Sequence, residues 1–159
     1  MNKTALVKKI VTQLAGELEL YAKAARAAHA EATHEQSKAE NKYDTRGLEA
    51  SYLARGQSRQ AAETAQALKQ LESMQLRAFG PADPIDLGAV VEIERTGERS
   101  IYFIGPRAGG TEVRHERKEV LVVTPQSPLG QQLVGKKQGD RIRIETGGAP
   151  DECRIISVC

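Results

Sequence analysis

Proline is confined to the second half of this chain. All six prolines lie after Phe79, and the glycines before it are only Gly16, Gly47 and Gly56. The proline-free segment is rich in Ala, Glu, Gln and Lys, which are strong helix formers. The segment after it contains runs of Val and Ile, which favour strands. The 159-residue chain is therefore predicted to form a helical domain over residues 1–79, a linker over residues 80–87 and a β-rich domain over residues 88–159.

The proline-free segment carries two stripes of apolar residues at helical spacing. The first stripe comprises Val7, Ile10, Leu14, Leu18, Tyr21, Ala25, Ala28 and Ala32, and the weaker second stripe comprises Leu48, Tyr52, Ala62, Ala65, Leu68 and Leu71. A polar stretch over residues 31–46 separates them. Because a short connection makes consecutive helices antiparallel neighbours, the pattern favours a helical hairpin with a coiled-coil seam. One long helix that dimerises is the alternative.

The second half has the pattern of short strands around one short helix. Thr96-Gly97-Glu98 is typical of a hairpin turn, and Ser127 followed by Pro128 is typical of a helix start that Gly135 would end. The fold class predicted for the whole chain is α+β. The candidate strands span residues 89–94, 100–104, 111–115, 119–124, 141–146 and 154–158.

Composition excludes several classes of function. The formal net charge of +2 is too small to indicate bulk nucleic-acid binding, and no apolar run approaches the length of a membrane span. The N-terminus lacks the pattern of a signal peptide, so we expect a cytoplasmic protein in which Cys153 and Cys159 are free thiols. His29, His34 and His115 have no zinc-ligand spacing and are expected at the surface. No motif of a self-contained enzyme is present.

One continuous segment of the second half carries a specific resemblance. Residues 123–140 read VTPQSPLGQQLVGKKQGD, with a Ser-Pro, a short helix ending in an apolar pair, a Gly-Lys, and a Gly-Asp entering a strand. This segment resembles the C-terminal signature of the GreA/GreB family of transcription factors, and the family's helical hairpin fits the first half. The resemblance implies an FKBP-like C-terminal domain that docks on bacterial RNA polymerase while the hairpin enters the secondary channel. It also implies that Gln126, Ser127, Pro128 and Leu129 contact the polymerase. An isomerase or chaperone function does not follow, because a fold does not determine an activity.

The resemblance extends to the connection between the helices, where family members carry acidic residues that help to hold magnesium in the polymerase active site. Glu40-Asn41 matches that tip, but Ser37 stands where the family has an Asp. Asp44 could replace it, since residues four apart share one helix face. Glu40 and Asp44 are therefore the candidate magnesium ligands, shared with the polymerase, because Mg²⁺ needs only one or two carboxylates. The resemblance thus implies stimulation of nascent-RNA cleavage, with a channel-binding regulator or inhibitor that does not stimulate cleavage as the alternative.

Basic residues accompany the candidate tip. Residues 1–79 contain 12 Lys and Arg against 9 Asp and Glu, whereas the rest of the chain contains 11 against 12. Lys38, Lys42, Arg46 and Arg55 are candidate contacts to nascent RNA, because basic side chains bind phosphates as point charges. Ordinary ion pairing on a solvated helix face is the other interpretation. A self-paired hairpin predicts a monomer, while an exposed apolar stripe would indicate a protein that dimerises through it.

Overall fold

The computed structural model describes residues 1–34, 40, 45–146 and 149–159. Three helices and six strands lie within these ranges. In chain order they are α1 Lys3–Thr33, α2 Arg46–Glu72, β1 Val90–Arg95, β2 Glu98–Ile104, β3 Glu112–His115, β4 Lys118–Val123, α3 Pro128–Leu133, β5 Arg141–Thr146 and β6 Ala149–Val158. The α+β class and the helical hairpin followed by a β-rich domain are confirmed. No helix of the described ranges has the length and apolarity that crossing a membrane requires.

The chain divides into two compact units. One comprises Thr12–Lys69, and the other comprises Met1–Val11 together with Gln70–Cys159. The first unit therefore contains most of both long helices. The second contains the sheet, α3, the beginning of α1 and the end of α2.

The helical unit buries a seam of small side chains. Leu14 and Ala28 on α1 are buried as the first stripe predicted. On α2 the prediction was confirmed for Leu71, which is buried, and wrong for Leu48, Tyr52, Ala62 and Ala65, which are exposed. The other buried positions of this helix are Ala50, Ala54, Thr64 and Ala67. The one polar member of this seam, Thr64, satisfies its hydroxyl by donating to the Gln60 carbonyl at 2.9 Å.

The second unit is built on one six-stranded sheet with the order β3-β4-β2-β1-β6-β5. All neighbours are antiparallel except β2 and β4, which run parallel. The predicted hairpin turn joins β1 to β2, where Thr96 and Gly97 both have positive φ (48° and 85°), as a tight hairpin with right-handed twist requires. The turn from β3 to β4 achieves the same geometry with Glu116 and Arg117 (φ 50° and 64°).

The main core of this unit lies between α3 and the sheet. Residues at alternate positions of β1, β5 and β6 supply Val91, Ile93, Ile142 and Ile155, and α3 supplies Leu133. Phe79 and Ile85, at the ends of the Gly- and Pro-rich segment, belong to the same core. Ile85 is also fixed through its backbone: its N–H donates to the Lys136 carbonyl and its carbonyl accepts from the Gly135 N–H, both at 2.8 Å.

The start of α1 is anchored within the same unit. The Asn2 side chain caps the helix by accepting from the Ala5 N–H at 3.0 Å. The Asn2 backbone N–H donates to the Glu116 carboxylate at 3.1 Å, and this hydrogen bond is the main reason that the pKa of Glu116 lies below its usual value. Lys9 donates from Nζ to the Arg114 carbonyl at 3.0 Å, while Leu6 and Ile10 are fully buried.

One histidine departs from the expectation of surface histidines. His29 and His34 are exposed, but His115 is buried, with about 5% of its surface accessible. It falls on the inward side of β3, where burial alternates from residue to residue, and its Nε2 lies 3.3 Å from the Glu116 carboxylate. The prediction for His115 was wrong because strand periodicity, rather than side-chain polarity, determined which way it faces.

Candidate functional site

The four residues of the predicted docking loop lie where the chain enters α3: Gln126 and Ser127 precede the helix, and Pro128 and Leu129 are its first residues. Ser127 is the N-cap of α3, with φ −68° and ψ 154°, and Pro128 occupies the first turn. The Ser127 hydroxyl accepts from the Gly130 N–H at 3.1 Å and donates to the Thr124 carbonyl at 2.8 Å. A single side chain therefore joins the end of β4 to the beginning of α3 and sets the loop between them.

Gly130 permits this arrangement because the helix starts in very close contact with the end of β4. A Cβ atom built at Gly130 would lie 1.8 Å from the Thr124 carbonyl oxygen and 2.7 Å from the Thr124 carbonyl carbon. Both atoms are backbone, so no side chain could move away to relieve the overlap. Sequence reasoning did not identify Gly130 as a determinant of the loop, since a glycine early in a helix usually signals only reduced helix propensity.

The predicted docking loop combines exposed side chains with one side chain that packs on the core. Gln126 and Pro128 are exposed, whereas Leu129 is partly buried against the main core of the sheet. α3 is held further by Leu133, which is fully buried, and by Gln132, whose side-chain oxygen accepts from the Arg143 N–H at 3.1 Å. The side-chain amide of Gln126 and the ring of Pro128 are therefore exposed to solvent on a loop that α3 holds in place.

We expect Ser127→Ala to destabilise the protein by about 1 kcal/mol, because it removes the N-cap of α3. Urea unfolding followed by circular dichroism measures this directly. Ser127→Asn is the matched variant, since asparagine is an equally good cap, and it should lose clearly less than the alanine variant. Equal losses for the two variants would show that capping is not what Ser127 contributes.

The structure describes part of the predicted acidic tip. Glu40 is exposed, with 78% of its side-chain surface accessible, and its carboxylate lies 3.6 Å from Nη2 of Arg46. Such an exposed ion pair contributes little to stability and leaves the carboxylate accessible. Arg46 and Arg55 are exposed as well. Ser37, Lys38, Lys42 and Asp44 lie outside the described residues, so the structure does not test the predicted pairing of Glu40 with Asp44.

The chemistry of Glu40 fits a shared magnesium ion. Mg²⁺ keeps most of its waters and accepts one or two carboxylates, so a single accessible carboxylate is an adequate ligand within a partner's site. Within the described ranges, no three His, Cys, Asp or Glu side chains are grouped to hold a metal. The two cysteines are free, as expected, and burial raises the pKa of the Cys153 thiol.

Comparison with known proteins assigns the class. Residues 80–159 match the family model described as "Transcription elongation factor, GreA/GreB, C-term". This match covers half of the chain and includes the predicted docking loop, residues 126–129. The chain belongs to the GreA/GreB family of transcription factors.

Individual relatives add detail. The chain is 28% identical to the "Transcription inhibitor protein Gfh1" of Thermus aquaticus over 123 residues, which cover 73% of this chain and 71% of that protein. It is 35% identical to "Transcription elongation factor GreA" of Streptococcus pneumoniae over 78 residues, which cover 48% of this chain and 45% of that protein. The crystal structure of Gfh1 from Thermus thermophilus matches with 23% identity, 94% coverage of each chain and a TM-score of 0.40.

Proposed function

We propose that this protein regulates transcription by binding bacterial RNA polymerase through the docking loop of Gln126, Ser127, Pro128 and Leu129. The observation that carries the proposal is the capped start of α3, which fixes an exposed Gln and Pro on the domain that defines the family. The chain would act as a monomer in the cytoplasm, where the polymerase is found. It would be an accessory factor and not itself an enzyme, with the chemistry remaining that of the polymerase.

We propose that the hairpin tip acts inside the polymerase. In this proposal Glu40 and Asp44 supply oxygen ligands to a magnesium ion in the polymerase active site, which promotes cleavage of backtracked nascent RNA. The exposure of Glu40 supports the proposal, because a ligand donated to another protein must be accessible. Lys38, Lys42, Arg46 and Arg55 would lie close enough to the nascent RNA to contact its phosphates.

A second candidate function is a channel-binding regulator or inhibitor that does not stimulate cleavage. Two observations favour it. Ser37 replaces one acidic residue of the family's tip. The relative that matches over 73% of the chain is named a transcription inhibitor, and a match of 123 residues extends beyond the 80 residues of the C-terminal family region.

A cleavage assay distinguishes these functions. The protein is added with magnesium to a backtracked elongation complex, and shortening of the labelled RNA is followed on a gel. If the tip acts as proposed, the wild type accelerates shortening and Glu40→Ala/Asp44→Ala loses the acceleration. Glu49→Ala, at an exposed acidic position in the first turn of α2, is the matched control and should retain it.

The other outcomes are equally informative. If the wild type binds the complex but RNA shortening is slowed or unchanged, cleavage stimulation is contradicted. That result would support the channel-binding regulator that does not stimulate cleavage. Acceleration that survives the double substitution would contradict the role of Glu40 and Asp44. Failure to bind polymerase in a sedimentation or anisotropy experiment would contradict the proposed function as a whole.

A further inference from the structure

Two β-hairpins of the sheet separate at one end. The parallel strands β2 and β4 join the β1–β2 hairpin to the β3–β4 hairpin, and their pairing begins at Ile101 and Val120. Each strand starts two or three residues earlier, at Glu98 and Lys118, where it pairs with its own hairpin partner. The sheet therefore forks at this end, and the two arms of the fork end in the turns between β1 and β2 and between β3 and β4.

The fork encloses a cleft of about 590 Å³. This fork cleft is defined by its lining residues, which are residues 99–102, residues 117–121, Glu92, Glu112 and Arg114. Its volume lies within the range of roughly 300–1,000 Å³ that is usual for sites that bind small molecules. The fork cleft lies wholly within the unit that contains the sheet, and it includes neither the docking loop nor the hairpin tip.

The floor of the fork cleft combines an aromatic ring with a carboxylate. In the register of the sheet, Tyr102 of β2 is opposite Leu121 of β4, and Leu121 is opposite Glu112 of β3. Tyr102 and Leu121 are partly exposed, and Glu112 is exposed. A nucleobase can use both groups, because its face stacks on an aromatic ring and its amino group donates a hydrogen bond to a carboxylate.

Most charged side chains of the fork cleft are balanced by a neighbour. Nη1 of Arg99 lies 3.6 Å from the Glu92 carboxylate. Arg114 and Glu119 are opposite each other in the β3–β4 ladder, where side chains of opposite charge interact favourably. These two pairs account for four of the seven charged side chains in the lining, which leaves one carboxylate on the floor and two cations.

The two remaining cations are Arg117 and Lys118, at the end of the β3–β4 arm. Both are exposed, and neither forms an ion pair with any residue that the structure describes. The nearest carboxylate in sequence, that of Glu116, accepts from the Asn2 N–H at 3.1 Å and lies 3.3 Å from Nε2 of His115. Because Glu116 is engaged there, Arg117 and Lys118 are available to an anion, and both side chains bind phosphate groups well.

We propose that the fork cleft is a nucleotide-binding site, in which Arg117 and Lys118 hold a phosphate group while Tyr102 and Glu112 hold the base. The two pairs lie at opposite ends of the cleft, since Lys118 and Leu121 are three residues apart on β4, about 10 Å along the strand. Phosphate and base are likewise at opposite ends of a nucleotide. The base carries an amino group, because an ionised carboxylate such as that of Glu112 only accepts hydrogen bonds. This site goes beyond the regulation of polymerase.

The test is isothermal titration calorimetry of the full chain with three probes: adenosine monophosphate, adenosine and inorganic phosphate. Adenosine monophosphate should bind most tightly, because only this probe occupies both ends of the fork cleft. Arg117→Asn should weaken its binding about tenfold, through loss of one charge-assisted hydrogen bond. The same substitution should not lower the melting temperature, since Arg117 has φ 64° and asparagine adopts a positive φ more readily. Lys136→Gln, at an exposed lysine outside the cleft, is the matched control and should bind as the wild type does.

Substitutions of Tyr102 test the other end of the fork cleft. Tyr102→Leu should weaken binding of adenosine monophosphate about tenfold, because it removes the ring on which the base stacks. Its affinity for inorganic phosphate should be unchanged. Tyr102→Phe keeps the ring and should retain the affinity of the wild type for both probes.

Four results would overturn the proposal. These are no heat of binding with adenosine monophosphate at millimolar concentration, wild-type affinity of Arg117→Asn, and equal affinities for adenosine monophosphate and inorganic phosphate. The fourth is tighter binding of an RNA oligonucleotide without a terminal phosphate, which would assign the fork cleft to the phosphodiester backbone. None of these measurements contains RNA polymerase, so failure of the nucleotide site would leave the proposed function untouched.

Discussion

Gly130→Ala is expected to abolish docking on polymerase and to lower the free energy of unfolding by about 3 kcal/mol, which is the upper end for overpacked sites. The new Cβ would lie 1.8 Å from the Thr124 carbonyl oxygen, so the end of β4 and the start of α3 must separate. That movement would break the two hydrogen bonds of the Ser127 hydroxyl, which define the loop. Thermal unfolding and polymerase binding of the same preparation measure both effects.

Gly16→Ala provides the opposite control for this substitution. Gly16 lies inside α1 with nothing within 4 Å of a built Cβ, so alanine should stabilise the helix by about 0.5–1 kcal/mol and leave binding unchanged. If Gly130→Ala bound polymerase with wild-type affinity, the loop would tolerate a different backbone, and its fixed geometry would not be what the polymerase recognises.

Ile85→Ala is expected to destabilise the C-terminal domain by about 2–5 kcal/mol, the usual cost of removing a buried aliphatic side chain. Ile85 exposes 1% of its surface and contacts the main core, although it lies in the segment predicted from sequence as a linker. The substitution leaves its two backbone hydrogen bonds available, so the loss would come from the side chain alone. Urea unfolding monitored by far-ultraviolet circular dichroism measures it.

Leu87→Ala is the matched control for that experiment. Leu87 lies two residues further along and exposes 41% of its surface, so we expect a loss below about 1 kcal/mol. A loss at Ile85 as small as the one expected at Leu87 would contradict the packing of Ile85 into the core. It would support the sequence-based prediction that residues 80–87 are a linker.

The β-rich domain was largely predictable because its signals are local. Alternation of Val and Ile with polar residues, Thr96-Gly97 at a turn and Ser127-Pro128 at a helix start each specify one element within a few residues. The resulting strand bounds agree with the structure to within one or two residues for β1 to β5, while β6 begins five residues earlier than predicted. The early part of β6 pairs with β5 from Ala149 onwards, which the alternation of side chains did not predict.

The seam of α2 was not predictable by the same reasoning. Alanine is frequent on every side of this helix, so the large residues Leu48 and Tyr52 dominated the apparent stripe although they face outwards. The small residues Ala50, Ala54 and Ala67 are buried instead, and the spacing of the large side chains does not reveal this. Gly130 was missed for a related reason, since its requirement arises from the Thr124 carbonyl and not from helix propensity.

The bonds made by Lys9 and Gln132 bear on the solubility of the domain. The sheet is open, and β3 and β5 are its edge strands, where unpaired backbone groups can recruit a strand from another molecule. Lys9 occupies the carbonyl of Arg114 on β3, and Gln132 occupies the N–H of Arg143 on β5. A strand from another molecule would have to displace one of these side chains before it could pair with the edge of the sheet. Each edge strand is therefore protected against edge-to-edge aggregation by one side-chain hydrogen bond.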